Sequence, residues 1–257
     1  MLTPYDLAFV SPGTRLRARV LVDALKQQHV QEVCDCGCGA GILAGWIRAE
    51  GMSVIAFDIH PQLVLHAAAK NVLEGRLFVG SILEMPFAAG SLTNIVSADV
   101  IEHLPSPIDA FREFARVLAP GGKAILTIPN HTFQRMYDLF RVGQADIGHQ
   151  RTYSRSELER ILTGTGLRIY AHRSVCNLCV GMVDAAIAKL AILKYGKETV
   201  QHSEMTLRAS SSGLAEIYYW VCKLCYPVLV ILEHLFPSVL GTENLLILRK
   251  LDNRGGR

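Results

Sequence analysis

Short apolar runs alternate along this chain with longer segments of mixed polarity. The apolar runs predict strands at residues 30–34, 52–57, 77–79, 94–98, 124–128, 167–171 and 244–250. The segments between them predict helices at residues 15–28, 42–50, 61–71, 107–118 and from Ser154 toward Gly166. The last of these carries a capping-box signature, because Glu157 follows Ser154 by three positions. Such alternation predicts an α/β fold, a doubly wound seven-stranded sheet with helices on both faces.

Residues 174–242 interrupt this pattern with an insertion between predicted strands six and seven. Two stretches of it, 178–193 and 217–240, are strongly apolar, but charges and prolines make neither a clean membrane span. Three interpretations stay open. The insertion is a helical cap over an apolar substrate pocket, a surface that rests on a membrane or collects a lipid-like substrate, or a packed extension or dimer face. The first two are compatible.

The most informative segment joins strand one to the next helix and places Asp35 ahead of three alternating glycines, Gly37, Gly39 and Gly41. Glycines let a backbone turn tightly and approach a ligand, and the helix that follows offers unpaired N–H groups. A carboxylate in such a loop repels phosphate and attracts a cationic or hydroxyl-rich ligand, which favours S-adenosylmethionine over a dinucleotide. Asp58, about 20 positions on, is placed to bind a ribose.

Two other interpretations of this loop are open. An NAD fingerprint can be met from Gly39 through Gly41 and Ala44, and Asp35 is what argues against it. The loop could also be a tight strand-to-helix turn without a ligand.

The glycine loop, Asp58 and segments 80–87, 94–104 and 118–129 together resemble the class I S-adenosylmethionine-dependent methyltransferases. The match runs from about residue 30 to residue 173. It is nearest to the small-molecule, type 11-like branch, which includes quinone-pathway and sterol methyltransferases. The resemblance implies a Rossmann-like fold and S-adenosyl-L-methionine as cofactor. The chain departs from the family pattern at Ser81, where many relatives carry an Asp that binds the adenine amino group.

By this resemblance one set of residues is expected to bind the cofactor. Asp35 would hold its amino end, Asp58 its ribose hydroxyls, and Ser81 with the backbone of Ile82 its adenine. The expected cofactor-binding residues are Asp35, Gly37, Cys38, Gly39, Gly41, Asp58, Ile59, Ser81, Ile82 and Asp99.

An oxygen nucleophile needs a base, and two histidines are candidates. His149 lies in a segment that resembles the family's substrate loop, with Arg151 and Tyr153 as substrate contacts, and His103 follows strand four. Either histidine could instead serve only loop architecture.

Composition narrows the remaining choices. The chain has 257 residues, half of them hydrophobic, and a net charge of +3, which is too small to indicate nucleic-acid binding. No leader-like segment opens it, and seven cysteines then suggest reduced thiols in a cytoplasmic setting, with membrane association open. The pairs Cys176/Cys179 and Cys222/Cys225 favour core thiols over zinc, because the pairs are too far apart for the usual zinc spacing. No metal is expected.

The sequence therefore predicts an enzyme that methylates a small, apolar or lipid-like acceptor, most readily at oxygen. Residues 1–173 and 243–257 would form the cofactor-binding domain, and residues 174–242 the cap or membrane-facing insertion. The alternative is a non-catalytic protein that keeps the cofactor fold and uses the insertion to bind a partner or membrane. The sequence specifies neither the acceptor nor the oligomeric state.

Overall fold

The computed structural model describes residues 12–69, 73, 75–143, 149–176, 178–195, 224, 226–228, 230, 231 and 241–251. The helices are α1 (Pro12–Gln27), α2 (Ile42–Ala49), α3 (Pro61–Ala69), α4 (Pro107–Val117), α5 (His131–Leu139), α6 (Arg155–Leu162) and α7 (Leu178–Tyr195). The strands are β1 (Glu32–Cys36), β2 (Ser53–Asp58), β3 (Leu77–Val79), β4 (Leu92–Ala98), β5 (Leu118–Pro129), β6 (Leu167–Val175) and β7 (Glu243–Lys250). A 3-10 turn spans Ile101–His103.

All seven strands form one sheet in the order β3-β2-β1-β4-β5-β7-β6. The pairs from β3 through β5 are parallel. The last strand runs the other way: the N–H of Leu251, beyond the end of β7, donates to Gly166 O, before the start of β6. The predicted seven-stranded α/β fold is confirmed, and the carboxyl ends of β1, β2 and β4 lie at one edge, where ligands bind in open α/β sheets.

Several predicted strand boundaries differ from the observed ones. Strand β1 starts two residues late, because the N–H of Val30 closes the turn after α1 on Leu25 O. Strand β5 starts at Leu118 and includes the predicted turn 120–122, because a register shift between Leu92 and Asn94 accommodates the extra residues as a bulge. Strand β6 continues to Val175, beyond the predicted end at residue 171.

The chain divides into two compact units. One comprises residues 18–128, 154–173 and 245–257, and its core contains the fully buried Phe57, Phe111 and Phe114. The capping box of Ser154 and Glu157 at the start of α6 is confirmed.

The second unit comprises residues 1–17, 129–153 and 174–244. Helix α5 packs on α7 there, and Phe133, Tyr137, Val142 and Ala185 form a buried cluster. Within the part of the chain described, no helix is both long and apolar enough to cross a membrane. The predicted boundaries at residues 173 and 243 stay predictions.

Candidate active site

The glycine loop turns back on the end of strand β2. The N–H groups of Gly37 and Cys38 both donate to Phe57 O, at 2.9 and 3.0 Å. Gly37, Gly39 and Gly41 all have positive φ angles, of 77°, 54° and 79°, which L side chains rarely adopt. The alternating glycines therefore follow from the backbone path that leads from β1 into α2.

Asp58, the last residue of β2, holds this loop with its side chain. Its Oδ2 accepts from the Gly39 N–H at 2.8 Å, and its Oδ1 accepts from the His60 N–H at 2.9 Å. The residue is buried. Each carboxylate oxygen keeps a second lone pair, so Asp58 can accept two further hydrogen bonds from a ligand.

Asp35 is the least satisfied group of the loop. Its side chain is buried, and its Oδ2 has no hydrogen-bond partner. Burial, together with the nearby charge of Asp58, raises the pKa of Asp35 to about 7, although a hydrogen bond from the Ala44 N–H opposes the shift. A buried acceptor without a partner costs free energy, and a donor from a ligand would remove that cost.

The three cysteines that alternate with these residues are buried. Burial is the main cause that raises the pKa of the Cys36 and Cys38 thiols far above the ordinary value. They stay protonated at physiological pH and act as small apolar side chains.

The chain leaving β4 lies against the glycine loop. A Cβ on Gly37 would come within 2.5 Å of Val100 Cγ2, so only glycine fits there. Asp99 has a positive φ of 52°, its N–H donates to Thr127 O, and its Oδ1 accepts from Thr127 Oγ1 at 2.8 Å. The Asp99 side chain thus ties β4 to β5.

The 3-10 turn after Val100 carries Glu102 and His103. Glu102 is fully buried, and its Oε1 lies 4.0 Å from Nε2 of the exposed His103. This separation is within ion-pair range but is longer than a hydrogen bond.

The segment after β3 begins beside Asp58, since the Gly80 N–H donates to Asp58 O at 3.0 Å. Ser81 Oγ accepts from the Leu83 N–H at 3.1 Å, and Ile82 is buried. Ile59, in contrast, is 61% exposed next to Asp58. An exposed isoleucine at this edge is an apolar surface for a flat ring.

The other predicted residues lie in the second unit. The His149 ring stacks on Phe133 with centroids 5.3 Å apart. Tyr153 is buried, its N–H donates to Pro129 O, and its carbonyl accepts from Asn244 Nδ2 at 2.8 Å. Arg151, between them, is exposed. The predicted substrate loop is therefore fixed to β5, α5 and β7 at both of its described ends.

The cysteine pairs are only partly visible. Cys176 is buried and Cys179 is exposed, so a core position explains only the first thiol. Cys222 and Cys225 lie outside the described residues.

Sequence reasoning missed four residues that shape the site. Val100 packs on Gly37, Thr127 holds Asp99, and Glu113 and Arg116 of α4 bond to the backbone after β3. Of these four residues, only Glu113 and Arg116 could have been noticed in the sequence, because an acid and a base three positions apart on a helix often pair. The spacing does not indicate what the pair contacts.

These features fit S-adenosylmethionine better than a dinucleotide. Residues 12–172 match a family model described as a methyltransferase domain. The chain belongs to the class I S-adenosylmethionine-dependent methyltransferases. The predicted family, Rossmann-like fold and cofactor are thereby confirmed.

Individual relatives and solved structures differ in what they are named for. The ubiquinone biosynthesis O-methyltransferase of Xanthomonas oryzae pv. oryzae is 34% identical over 105 residues, 39% of this chain and 44% of that protein. A candidate sarcosine dimethylglycine methyltransferase of Galdieria sulphuraria has a TM-score of 0.55 at 20% identity, over 91% of this chain and 84% of that one. The YcgJ protein of Bacillus subtilis has a TM-score of 0.57 at 16% identity, over 92% and 98%. The two structures show the fold alone, and the matches span less than half the length of the curated relatives.

Proposed function

We propose that this methyltransferase transfers a methyl group from S-adenosylmethionine to an oxygen of a small, apolar or lipid-like acceptor. The observation that carries the proposal is the buried carboxylate of Asp35, which lacks a partner on Oδ2 beside a loop anchored by Asp58. The ammonium group of the cofactor supplies the missing partner. A dinucleotide pyrophosphate would instead meet two carboxylates.

We assign the remaining cofactor contacts from the lone pairs and hydroxyl protons that the hydrogen bonds within the protein leave unused. Asp58 accepts the two ribose hydroxyls with the lone pairs that Gly39 and His60 leave free. Ser81 Oγ already accepts from Leu83, so its proton remains to donate to adenine, beside the backbone of Ile82. Ile59 covers one face of the ring. Gly37, Cys38 and Gly41 keep the loop narrow, and the Asp99 carbonyl faces the amino end.

The cofactor supplies an electrophilic methyl carbon on a sulfonium. The acceptor oxygen forms a bond to that carbon as the carbon–sulfur bond breaks, and the hydroxyl proton must leave. His103 takes this proton on a ring nitrogen, and the charge of the nearby Glu102 carboxylate stabilises the imidazolium cation. The contact of Val100 with Gly37 keeps this turn against the glycine loop. His149 is the second candidate base, with Arg151 and Tyr153 as acceptor contacts.

Two observations support the choice of acceptor. The Xanthomonas relative is named for O-methylation in ubiquinone biosynthesis, and a quinol is an apolar molecule with hydroxyl groups. The insertion also leaves Leu224, Val228 and Ile231 more than half exposed, at the i, i+4 and i+7 spacing of one helix face. Such a face suits a cap over an apolar substrate or a lipid surface.

Calorimetric titration with S-adenosylmethionine, S-adenosylhomocysteine and NAD tests the cofactor site, and Asp58→Ala serves as the altered site. We expect S-adenosylmethionine and S-adenosylhomocysteine to bind to the unaltered protein, and we expect this binding to be lost in Asp58→Ala. Production of S-adenosylhomocysteine is then measured with a panel of phenols, quinols, fatty acids and amines of matched chain length. Binding without turnover on any acceptor would favour the non-catalytic alternative, turnover only on amines would overturn the oxygen assignment, and NAD binding alone would overturn the proposal.

A further inference from the structure

Helix α4 carries an acid and a base that are joined by two short hydrogen bonds. Arg116 Nη2 donates to Glu113 Oε1 at 2.6 Å, and Arg116 Nε donates to Glu113 Oε2 at 2.7 Å. This is the bidentate arrangement in which a guanidinium and a carboxylate hold each other's orientation. Glu113 is mostly buried and the pKa of its carboxyl is lowered, first by the hydrogen bonds from Arg116.

The same two side chains bond to the backbone of the segment after β3. Glu113 Oε1 accepts from the Met85 N–H at 2.7 Å. Arg116 donates through Nη2 to Met85 O at 3.0 Å and through Nη1 to Phe87 O at 2.8 Å. Three backbone groups of residues 85–87 are therefore satisfied by one ion pair, 28 to 31 positions further along the chain.

This segment reaches the cofactor site at its other end. Gly80 bonds to Asp58 O, and Ser81 and Glu84 face each other across a tight turn. Ile82 and Met85 are buried, which fixes these two side chains, while Leu83 and Glu84 between them are exposed. A shift of the segment at Met85 would consequently be transmitted to Ser81 and Ile82.

We propose that Glu113 and Arg116 are positioning residues that set the adenine-binding wall of the site through the backbone of residues 85–87. The inference rests on the proposed function, in which Ser81 and Ile82 contact adenine. Ser81 offers adenine a single rotatable hydroxyl, which already accepts from the Leu83 N–H. A fixed backbone therefore has to supply the accuracy that such a small group lacks.

Helix α4 also provides a matched control. Arg112 Nη1 pairs with Asp109 Oδ1 at 3.1 Å, with the same i, i+3 spacing and residue charges. Both side chains are more than half exposed, and among the described residues neither bonds to segment 81–87. Removing that pair changes the helix surface but leaves the adenine wall alone.

The test compares Glu113→Ala and Arg116→Lys with Asp109→Ala and Arg112→Lys in the full chain. Affinity is measured for S-adenosylhomocysteine and for S-inosylhomocysteine, which lacks the adenine amino group. In the first two variants we expect adenine binding to weaken about tenfold and the preference for adenine over hypoxanthine to shrink several-fold. In Asp109→Ala and Arg112→Lys, both the preference and the turnover number at saturating cofactor should stay at the wild-type value. Glu113→Gln keeps an acceptor for Met85, so it should restore most of the preference.

An unchanged preference in Glu113→Ala and Arg116→Lys, together with a lower melting temperature, would reduce the pair to a structural role and overturn the inference. Equal losses in the Asp109 and Arg112 variants would do the same. If the unaltered chain binds neither nucleoside, the proposed function fails first, and this outcome is distinct from binding without altered preference. Should Arg116→Lys not fold, the two Glu113 variants decide the question alone.

Discussion

The backbone N–H of Gly39 donates to Asp58 Oδ2 across 2.8 Å, and the two residues are 19 positions apart. This bond joins the glycine loop to the end of the neighbouring strand before any ligand arrives. Because Asp58 is buried and also accepts from His60, the carboxylate cannot rotate freely. Asp58, which we propose binds the ribose, and the glycine loop are therefore held as one preorganised piece.

Replacing Gly39 with Ala should separate backbone strain from ligand exclusion. Gly39 has a φ of 54°, and a Cβ built there would have no protein atom within 4 Å, so the methyl group would point into the space beside the loop. We expect a loss of about 1 kcal/mol in the free energy of unfolding from the left-handed backbone. We also expect a loss of at least tenfold in S-adenosylmethionine affinity, measured by calorimetry.

Gly90→Ala is the control for that experiment. Gly90 has a φ of 70° and equally open surroundings, but it lies in the turn before β4. The stability cost should match that of Gly39→Ala while cofactor affinity stays at the wild-type value. Equal affinity losses in both variants would mean that strain alone, and not the space beside the loop, accounts for the effect.

Cofactor affinity should depend on pH through Asp35. The pKa of Asp35 is raised to about 7, and only the ionised carboxylate pairs with an ammonium group. Below pH 7, cofactor binding must release a proton from Asp35, so the Kd should rise about tenfold for each unit by which the pH is lowered. Above pH 7 the Kd should be nearly constant. Calorimetry in two buffers of different ionisation enthalpy would detect close to one released proton at pH 6. A flat profile would show that Asp35 does not meet the charged end of the cofactor.

The same residue should reduce stability at high pH. A carboxyl whose folded pKa is raised above the unfolded value of 3.8 stabilises the fold fully below that value, and the contribution is lost as pH rises to about 7. Asp35→Asn should therefore gain stability relative to wild type between pH 4 and pH 7, by at most about 4 kcal/mol. It should bind S-adenosylmethionine poorly at every pH. Denaturant unfolding of both proteins at pH 4.5 and pH 8 measures the difference, and a constant offset between them would contradict it.

The sequence predicts best those features that depend on residues close together in the chain. The three glycines, the carboxylates of Asp35 and Asp58, and the capping box of Ser154 were all predictable, because each depends on neighbours a few residues away or on the regular return of a βαβ unit. The bulge that lets β5 start at Leu118 was not, because it depends on pairing with β4.

The contacts that finish the site are tertiary and lay beyond the sequence pattern. Val100 meets Gly37 only once β4 lies beside β1, and Arg116 reaches Phe87 across 29 positions. The sequence shows that residue 116 is an arginine, but it does not show which backbone carbonyls the arginine contacts, because every residue has one. The residues of the glycine loop could therefore be predicted from the sequence, whereas the tertiary contacts that position the loop could not.

His103→Gln should separate chemistry from binding. If His103 takes the acceptor proton, the turnover number should fall by about 100-fold or more, since general-base catalysis contributes factors of that size. The S-adenosylmethionine Kd should change less than twofold, because glutamine keeps a similar volume. His149→Gln tests the other candidate, and His172→Gln on strand β6 serves as the control. A normal turnover number in His103→Gln with a large loss in His149→Gln would transfer the role of base to His149.

The exposed face of the insertion should decide how an apolar acceptor reaches the site. Leu224, Val228 and Ile231 are 71%, 56% and 57% exposed, and replacing all three with Gln removes the apolar surface without touching a buried side chain. If this face rests on lipid, the intact protein should float with phosphatidylcholine and phosphatidylglycerol vesicles and the triple variant should not. Leu65→Gln, at a position on α3 that is 68% exposed, should float like the wild type.

If neither the intact protein nor the triple variant floats but the triple variant loses turnover on long-chain acceptors only, the face acts as a substrate cap. If flotation and turnover both survive the triple change, residues 224–231 serve neither purpose, and the apolar acceptor would then have to be recognised elsewhere on the chain.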